Sequence, residues 1–195
     1  MKKNLTEILF LLDKSSSMQI MGDEPIAGYN DFIDSQRDPS LGEAKVTLVL
    51  FGSTIDKVYD RIDIKNIKPI TKKDYDAYGM TALRDAIGQT FQELGETFNK
   101  MDEADRPSKV IVCILSDGED TSSRYYSTST IKSIIETQTK DYSWEISFIG
   151  TTAEAISAAN SYAINNNYQV TNDSFGVRDG YMNFMDSTLR CRSSN

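Results

Sequence analysis

Ile8-Leu9-Phe10-Leu11-Leu12-Asp13-Lys14-Ser15-Ser16-Ser17-Met18 decides the reading of this chain. Five apolar residues with no polar alternation have the length and composition of a strand buried on both faces, the kind found in the middle of a parallel sheet. The run stops abruptly at a carboxylate, and three hydroxyl residues follow it. A second unbroken run, Val110-Ile111-Val112-Cys113-Ile114-Leu115, ends in Ser116-Asp117-Gly118-Glu119-Asp120, again apolar first and oxygen-rich after. Two such strands belong side by side at the centre of one sheet.

Working outward, apolar runs of strand length alternate with stretches of helical period. Strands are expected at Ile8 to Leu12, Lys45 to Phe51, Lys57 to Asp63, Lys109 to Leu115, Trp144 to Ile149 and, more weakly, Tyr168 to Thr171. Helical stripes are Ile26, Tyr29 and Ile33, then Leu83, Ile87, Phe91, Leu94, Phe98 and Met101 in the longest. Further helices are expected over Thr128 to Thr139, Ala153 to Ala163 and Phe175 to Leu189; the last carries a stripe of Val177, Tyr181, Phe184, Met185 and Leu189. Arg106-Pro107-Ser108 reads as a turn, and Trp144, alternating with Ile146 and Phe148, reads as core. The alternation predicts an α/β, Rossmann-like three-layer sandwich, a mostly parallel central sheet with helices on both faces, built as a single domain over residues 1–195.

Composition narrows the function. The chain has 195 residues and a formal net charge of −8 with no basic block, which excludes a binder that tracks nucleic-acid phosphates. It has no His, so the usual general base and zinc ligand are missing, and its two Cys exclude a disulfide framework. The apolar run after Lys2 and Lys3 is too short for a signal sequence, and no stretch reaches the length of a membrane span. A soluble, cytoplasmic protein with no membrane or nucleic-acid partner is the expectation.

In a parallel sheet, ligands bind beyond the carboxyl ends of the strands. Asp13-x-Ser15-x-Ser17, Ser116-Asp117 and Gly79-Met80-Thr81, which opens the longest helix, all fall there and present only carboxylates and hydroxyls. Such hard oxygen donors select Mg²⁺ or Mn²⁺, ahead of Ca²⁺, over zinc or copper. Two carboxylates, Asp13 and Asp117, with three neutral hydroxyls, Ser15, Ser17 and Thr81, leave an ion electrophilic and open to an outside anion. Taken singly, each segment also has a plain reading: a turn after a strand, or Thr81 capping its helix. Their conjunction at the strand ends favours a metal site.

Together, Ile8 to Met18, Gly79-Met80-Thr81-Ala82-Leu83 and Ile114 to Glu119 resemble a von Willebrand factor type A domain with a complete metal-ion-dependent adhesion site, as in the free-standing prokaryotic or phage members. The resemblance spans nearly the whole chain and fills all five positions of the motif: Asp13, Ser15, Ser17, Thr81 and Asp117. It implies that Ser15 and Ser17 coordinate the ion directly, the other three directly or through water, and that a protein partner supplies an Asp or Glu to complete the shell. It also implies that rearrangement around the ion is coupled to displacement of the C-terminal helix. Ser16 stands where the family often has Gly, which stiffens the loop. Lys14 brings a cation into it, which weakens metal affinity unless Lys14 points away or pairs with an acid such as Glu119 or Asp120. Asp85 reads as a favourable charge at a helix N-terminus or as a residue orienting the site. Tyr125-Tyr126 is expected on a loop at the functional face, either as partner contacts or packed beneath that loop. The expected function is thus a metal-dependent protein-binding module and not an enzyme. The alternatives are a Mg²⁺-dependent phosphatase-like hydrolase using Asp13, and a structural domain with a vestigial site.

Overall fold

The computed structural model describes residues 1–118 and 120–194. Its sheet is built from β1 (Lys2–Asp13), β2 (Glu43–Phe51), β3 (Ile55–Asp63), β4 (Pro107–Ser116), β5 (Glu145–Gly150) and β6 (Asn166–Gln169), in the spatial order β3-β2-β1-β4-β5-β6. All pairings are parallel except β2 with β3, which form an antiparallel hairpin at one edge. As the two unbroken apolar runs require, β1 and β4 are neighbours, with Leu12 opposite Leu115. Strand order reverses between them, so the crevice of the sheet opens where Asp13 and Asp117 emerge.

Helices α1 (Glu24–Ser35) and α5 (Ser174–Ser193) cover one face; α2 (Leu83–Lys100), α3 (Thr128–Asp141) and α4 (Ala153–Ser161) cover the other. The period-2 geometry of β1 divides its residues between two cores. Ile8, Phe10 and Leu12 meet Tyr29, Phe32 and Phe184, whereas Leu9 and Leu11 meet Leu83, Ile87 and Phe91. Phe10 lies edge-on to Phe32 at 4.8 Å and to Phe184 at 5.6 Å, and Phe32 stacks on Phe184 at 5.0 Å. This aromatic cluster, worth about 0.5–1.5 kcal/mol per pair beyond burial, ties α1 and α5 to the central strand.

Three expectations need correction. Pro107 and Ser108 belong to β4, not to a turn, because β4 begins where Lys2 of β1 pairs with Pro107. The last strand is Asn166–Gln169, two residues earlier than the apolar signal suggested. This edge strand is mostly polar, and its position is set by pairing, Ser147 with Asn166 and Gly150 with Gln169. On α5 the buried stripe continues through Thr188 and Arg192, while Leu189 is only half-buried. Trp144 is core as expected, packed against Phe91 at 5.2 Å from its place just before β5.

Candidate metal-binding face

Asp13 ends β1 fully buried, and both of its carboxylate oxygens are engaged. Oδ1 accepts from the Ser15 backbone N–H at 2.7 Å, and Oδ2 accepts from the Ser116 hydroxyl at 2.6 Å. The first contact bends the chain out of the strand into a tight turn; the second joins the ends of β1 and β4. The Tyr75 hydroxyl donates to the Asp13 carbonyl at 2.5 Å, closing the site from below. Sequence reasoning missed the roles of Ser116 and Tyr75. Ser116 stands in the oxygen-rich stretch after the Val110 to Leu115 run but is none of the five motif positions, and Tyr75 comes from a segment without regular structure, so only the fold brings them to Asp13.

Above Asp13, three oxygens form a chain. The Ser15 and Ser17 hydroxyls are 3.1 Å apart, and Ser17 donates to Oδ1 of Asp117 at 2.8 Å. Ser15 precedes the short 3-10 turn Ser16–Met21, yet its hydroxyl caps nothing there. Asp117 is fixed at its carbonyl by the Thr152 hydroxyl, 2.8 Å away. Burial pushes the Asp13 carboxyl up to about 6, against the pull of its Ser116 and Ser15 hydrogen bonds, with the nearby Asp117 charge adding to the rise. Burial also raises Asp117. Among the described residues neither carboxylate has a cationic partner.

Thr81 is held in place by its backbone. Its N–H donates to Thr121 Oγ1 at 3.0 Å, and its carbonyl accepts from the N–H groups of Thr121 and Ser122 at 2.9 and 3.0 Å. It does not cap α2: the N-cap position is Ala82, and Asp120 takes the Arg84 N–H instead. The Thr81 hydroxyl makes no hydrogen bond among the described residues, so it remains available. The chain reaches Thr81 through Gly79, whose φ of +87° suits glycine; a Cβ there would sit 2.4 Å from the Ser53 hydroxyl. Ser16 braces this strap, donating its N–H to the Gly79 carbonyl and accepting the Gly79 N–H at its hydroxyl, at 3.0 and 2.9 Å. A glycine at position 16 would lack the second bond.

Lys14 points away from this cluster and pairs with Asp56 at 2.7 Å. Of the two expected partners, Asp120 pairs with Arg84 instead at 3.2 Å, and Glu119 lies outside the described residues. The ammonium is thereby neutralised on the β2–β3 side. Asp85 turns out to organise the loop after β4, accepting the N–H groups of Arg124, Tyr125 and Tyr126 at 2.8, 3.0 and 3.0 Å. The Tyr125-Tyr126 pair is split by this loop. Tyr125 is exposed, whereas Tyr126 lies on the backbone of Gly88 and donates to Gln92 at 3.0 Å.

The donor set suits a hard divalent cation. With metal–oxygen bonds of about 2.0–2.1 Å, neighbouring ligands of an octahedral Mg²⁺ lie about 3 Å apart. The Ser15–Ser17 and Ser17–Asp117 separations already match that spacing. Among the described residues no cluster of three or more His, Cys, Asp or Glu exists, so hydroxyls must contribute to any such site.

No family model and no curated protein sequence matches the chain. Solved structures do. The PilB minor pilin from Streptococcus sanguinis aligns with a TM-score of 0.70 at 12% identity, over 98% of this chain and 62% of the pilin. Proximal thread matrix protein 1 from the mussel byssus, with a zinc-occupied adhesion-site motif, aligns at 0.65 and 15% identity over 97% of this chain and 49% of that one. The ArnB paralog VWA2 from Sulfolobus acidocaldarius aligns at 0.56 and 16%, over 91% and 44%. This chain therefore spans between two fifths and two thirds of the length of these neighbours. No helix among the described residues is long and apolar enough to cross a membrane. At these identities the likeness concerns architecture, and the architecture of this chain is that of the von Willebrand factor A-like proteins.

Proposed function

We propose that this chain is a metal-dependent protein-binding module whose ion is held by Ser15, Ser17, Thr81 and Asp117 above the buried Asp13. The carrying observation is the run of oxygens from Ser15 through Ser17 to Asp117, spaced like neighbouring ligands of one ion. Mg²⁺ is the natural occupant in a magnesium-rich cytosol, with Mn²⁺ as its substitute. Bound there, the ion supplies an electrophilic position for a carboxylate oxygen from outside. The protein's own part is to hold the hydroxyls still, keep Lys14 away and bury Asp13 as the anchor of the turn. A neighbour of the same fold carries a divalent metal in the corresponding kind of motif, which supports the reading.

The phosphatase alternative fares worse. A nucleophilic Asp13 needs a free oxygen facing substrate, but both of its oxygens are bound and the side chain is fully buried. A serine nucleophile has no His to activate it. The test is calorimetric titration of Mg²⁺ into the protein, followed by a p-nitrophenyl phosphate assay. Stoichiometric binding that Asp13→Ala abolishes, without phosphate release, is expected; Mg²⁺-dependent turnover, or binding unaffected by Asp13→Ala, overturns the proposal.

A further inference from the structure

Nine large apolar side chains stand exposed among the described residues, and four of them belong to the segments that carry Ser17, Thr81 and Asp117. Ile20 (65% exposed) follows Ser17 in the same turn, Tyr78 (76%) and Met80 (53%) precede Thr81, and Tyr125 (86%) lies on the loop after Asp117. Single exposed apolar residues are common on any surface, but four around one polar centre are arranged like the anchors of an interface.

Their backbones are fixed, so loose loops do not account for the exposure. Tyr78 donates its N–H to the Lys14 carbonyl at 2.7 Å and Met80 to the Ser53 hydroxyl at 2.8 Å. Gln19, beside Ile20, donates to the Ala77 carbonyl at 2.9 Å, which joins the Ile20 and Tyr78 segments into one bank. On the opposite bank Tyr125 hangs from the buried Asp85 carboxylate at 3.0 Å. Such a surface has already met the entropic cost of ordering its loops, which favours binding.

Charge limits what fits. Of the cations at this end, Lys14 is paired with Asp56, Lys72 with Asp23 and Arg84 with Asp120, while Arg124 beside Tyr125 is exposed and has no ion pair among the described residues; the whole chain carries −8. An acidic tract is repelled by such a surface, while one carboxylate aimed at the ion is not.

We propose that Ile20, Tyr78 and Met80 on one bank and Tyr125 on the other receive the large apolar side chains flanking a single Asp or Glu of a protein partner. The partner is then recognised as one carboxylate between two apolar residues. This inference rests on the metal-site reading.

The probe is a phage-displayed library of linear nonapeptides with a fixed central Asp, selected on the full chain in Mg²⁺. Enriched peptides are expected to carry large apolar residues on both sides of the Asp and few further acids. Affinity for one such peptide, followed by fluorescence anisotropy, is expected to fall about tenfold or more in Tyr125→Ser and in Tyr78→Ser with Met80→Ser. Mg²⁺ affinity should stay unchanged, since none of these side chains is among the proposed ligands. Enrichment of acidic tracts, no enrichment over the Asp13→Ala protein, or Mg²⁺-dependent binding indifferent to the rim variants overturns the proposal; the last leaves the metal reading standing. Rim-dependent binding that survives EDTA removes the metal reading instead, and with it the carboxylate half of this inference.

Discussion

Asp85 and Asp120 hold each other's segments. From the first turn of α2, Asp85 accepts the N–H groups of Arg124, Tyr125 and Tyr126. From the loop after β4, Asp120 accepts the Arg84 N–H at 2.7 Å and pairs with its guanidinium. Ser123 links the two, accepting the Asp85 N–H at 3.0 Å and donating its own backbone N–H and hydroxyl to Asp120. This reciprocal clasp carries Thr81 and Asp117, which stand at the two ends of the joined segments.

Breaking the clasp should therefore loosen the proposed metal site without touching a proposed ligand. Asp85→Ala leaves three backbone donors without their partner and is expected to destabilise the fold by about 2–3 kcal/mol. It should also weaken Mg²⁺ binding about tenfold, because Thr81 and Asp117 are then no longer held in register. Urea unfolding and calorimetry measure the two effects; a stability loss with unchanged Mg²⁺ affinity confines the clasp to folding.

Mg²⁺ is expected to stabilise the folded protein, since only folding brings together the proposed ligands, as it does Ser15, Ser17 and Asp117. At 100 times the dissociation constant the gain is about 2.7 kcal/mol, visible as a rise in melting temperature. Thr81→Ala should reduce that rise and Asp13→Ala should remove it. An equal rise in Asp13→Ala places the ion elsewhere.

The pH dependence should differ with and without metal. Glu7, buried in β1 beside Arg61 at 2.9 Å, is pushed up to about 7 by burial that outweighs its partner, and Asp13 sits at about 6. Between pH about 4 and 7 the unfolded chain releases these protons first, so the folded state holds more of them and metal-free stability falls as pH rises. The Mg²⁺-dependent increment should move the opposite way, growing as pH rises through about 6, because the ion binds an ionised site and displaces protons. Melting temperatures from pH 4 to 8, in EDTA and in Mg²⁺, check both slopes.

The last helix is clamped at two points. The Tyr181 ring lies on Gly28, where a Cβ would come within 2.1 Å, and its hydroxyl donates to the Pro25 carbonyl at 3.0 Å. At the far end Arg192, buried, donates to the Gln36 carbonyl at 2.8 Å and to the Gly42 carbonyl at 3.2 Å. If the ion drives this helix along the sheet, the clamps oppose it. Arg192→Ala should then speed amide exchange over residues 174–193 and change Mg²⁺ or partner affinity. Faster exchange with unchanged affinities means the helix is a passive wall.

Removing half of the Glu7–Arg61 pair should be costly. Glu7→Ala leaves a partly buried guanidinium without its carboxylate and is expected to destabilise by up to about 3–5 kcal/mol, whereas Glu7→Leu with Arg61→Met should recover most of that. Chemical denaturation of the single and double variants measures the difference.

The order of elements was legible in the chain because burial on both faces removes polar alternation, as in Ile8 to Leu12, and burial on one face imposes helical period, as in Leu83 to Leu94. The candidate ligands were legible for a related reason. Asp13, Ser15, Ser17 and Asp117 sit where apolar runs stop, Thr81 sits just before the longest helical stripe begins, and a polar cluster at such a boundary is a local signal. Folding alone decided which of these groups meet and which are turned aside. Ser116 reaches Asp13 only because β1 and β4 pair, Lys14 finds Asp56 only because the β2–β3 hairpin comes alongside, and Asp85 and Asp120 interlock only once α2 packs beside the β4 loop. Each contact joins residues tens to about a hundred positions apart, through side chains whose direction local periodicity does not encode. Pairing register and helix packing, set by the summed burial of the whole core, brought them together.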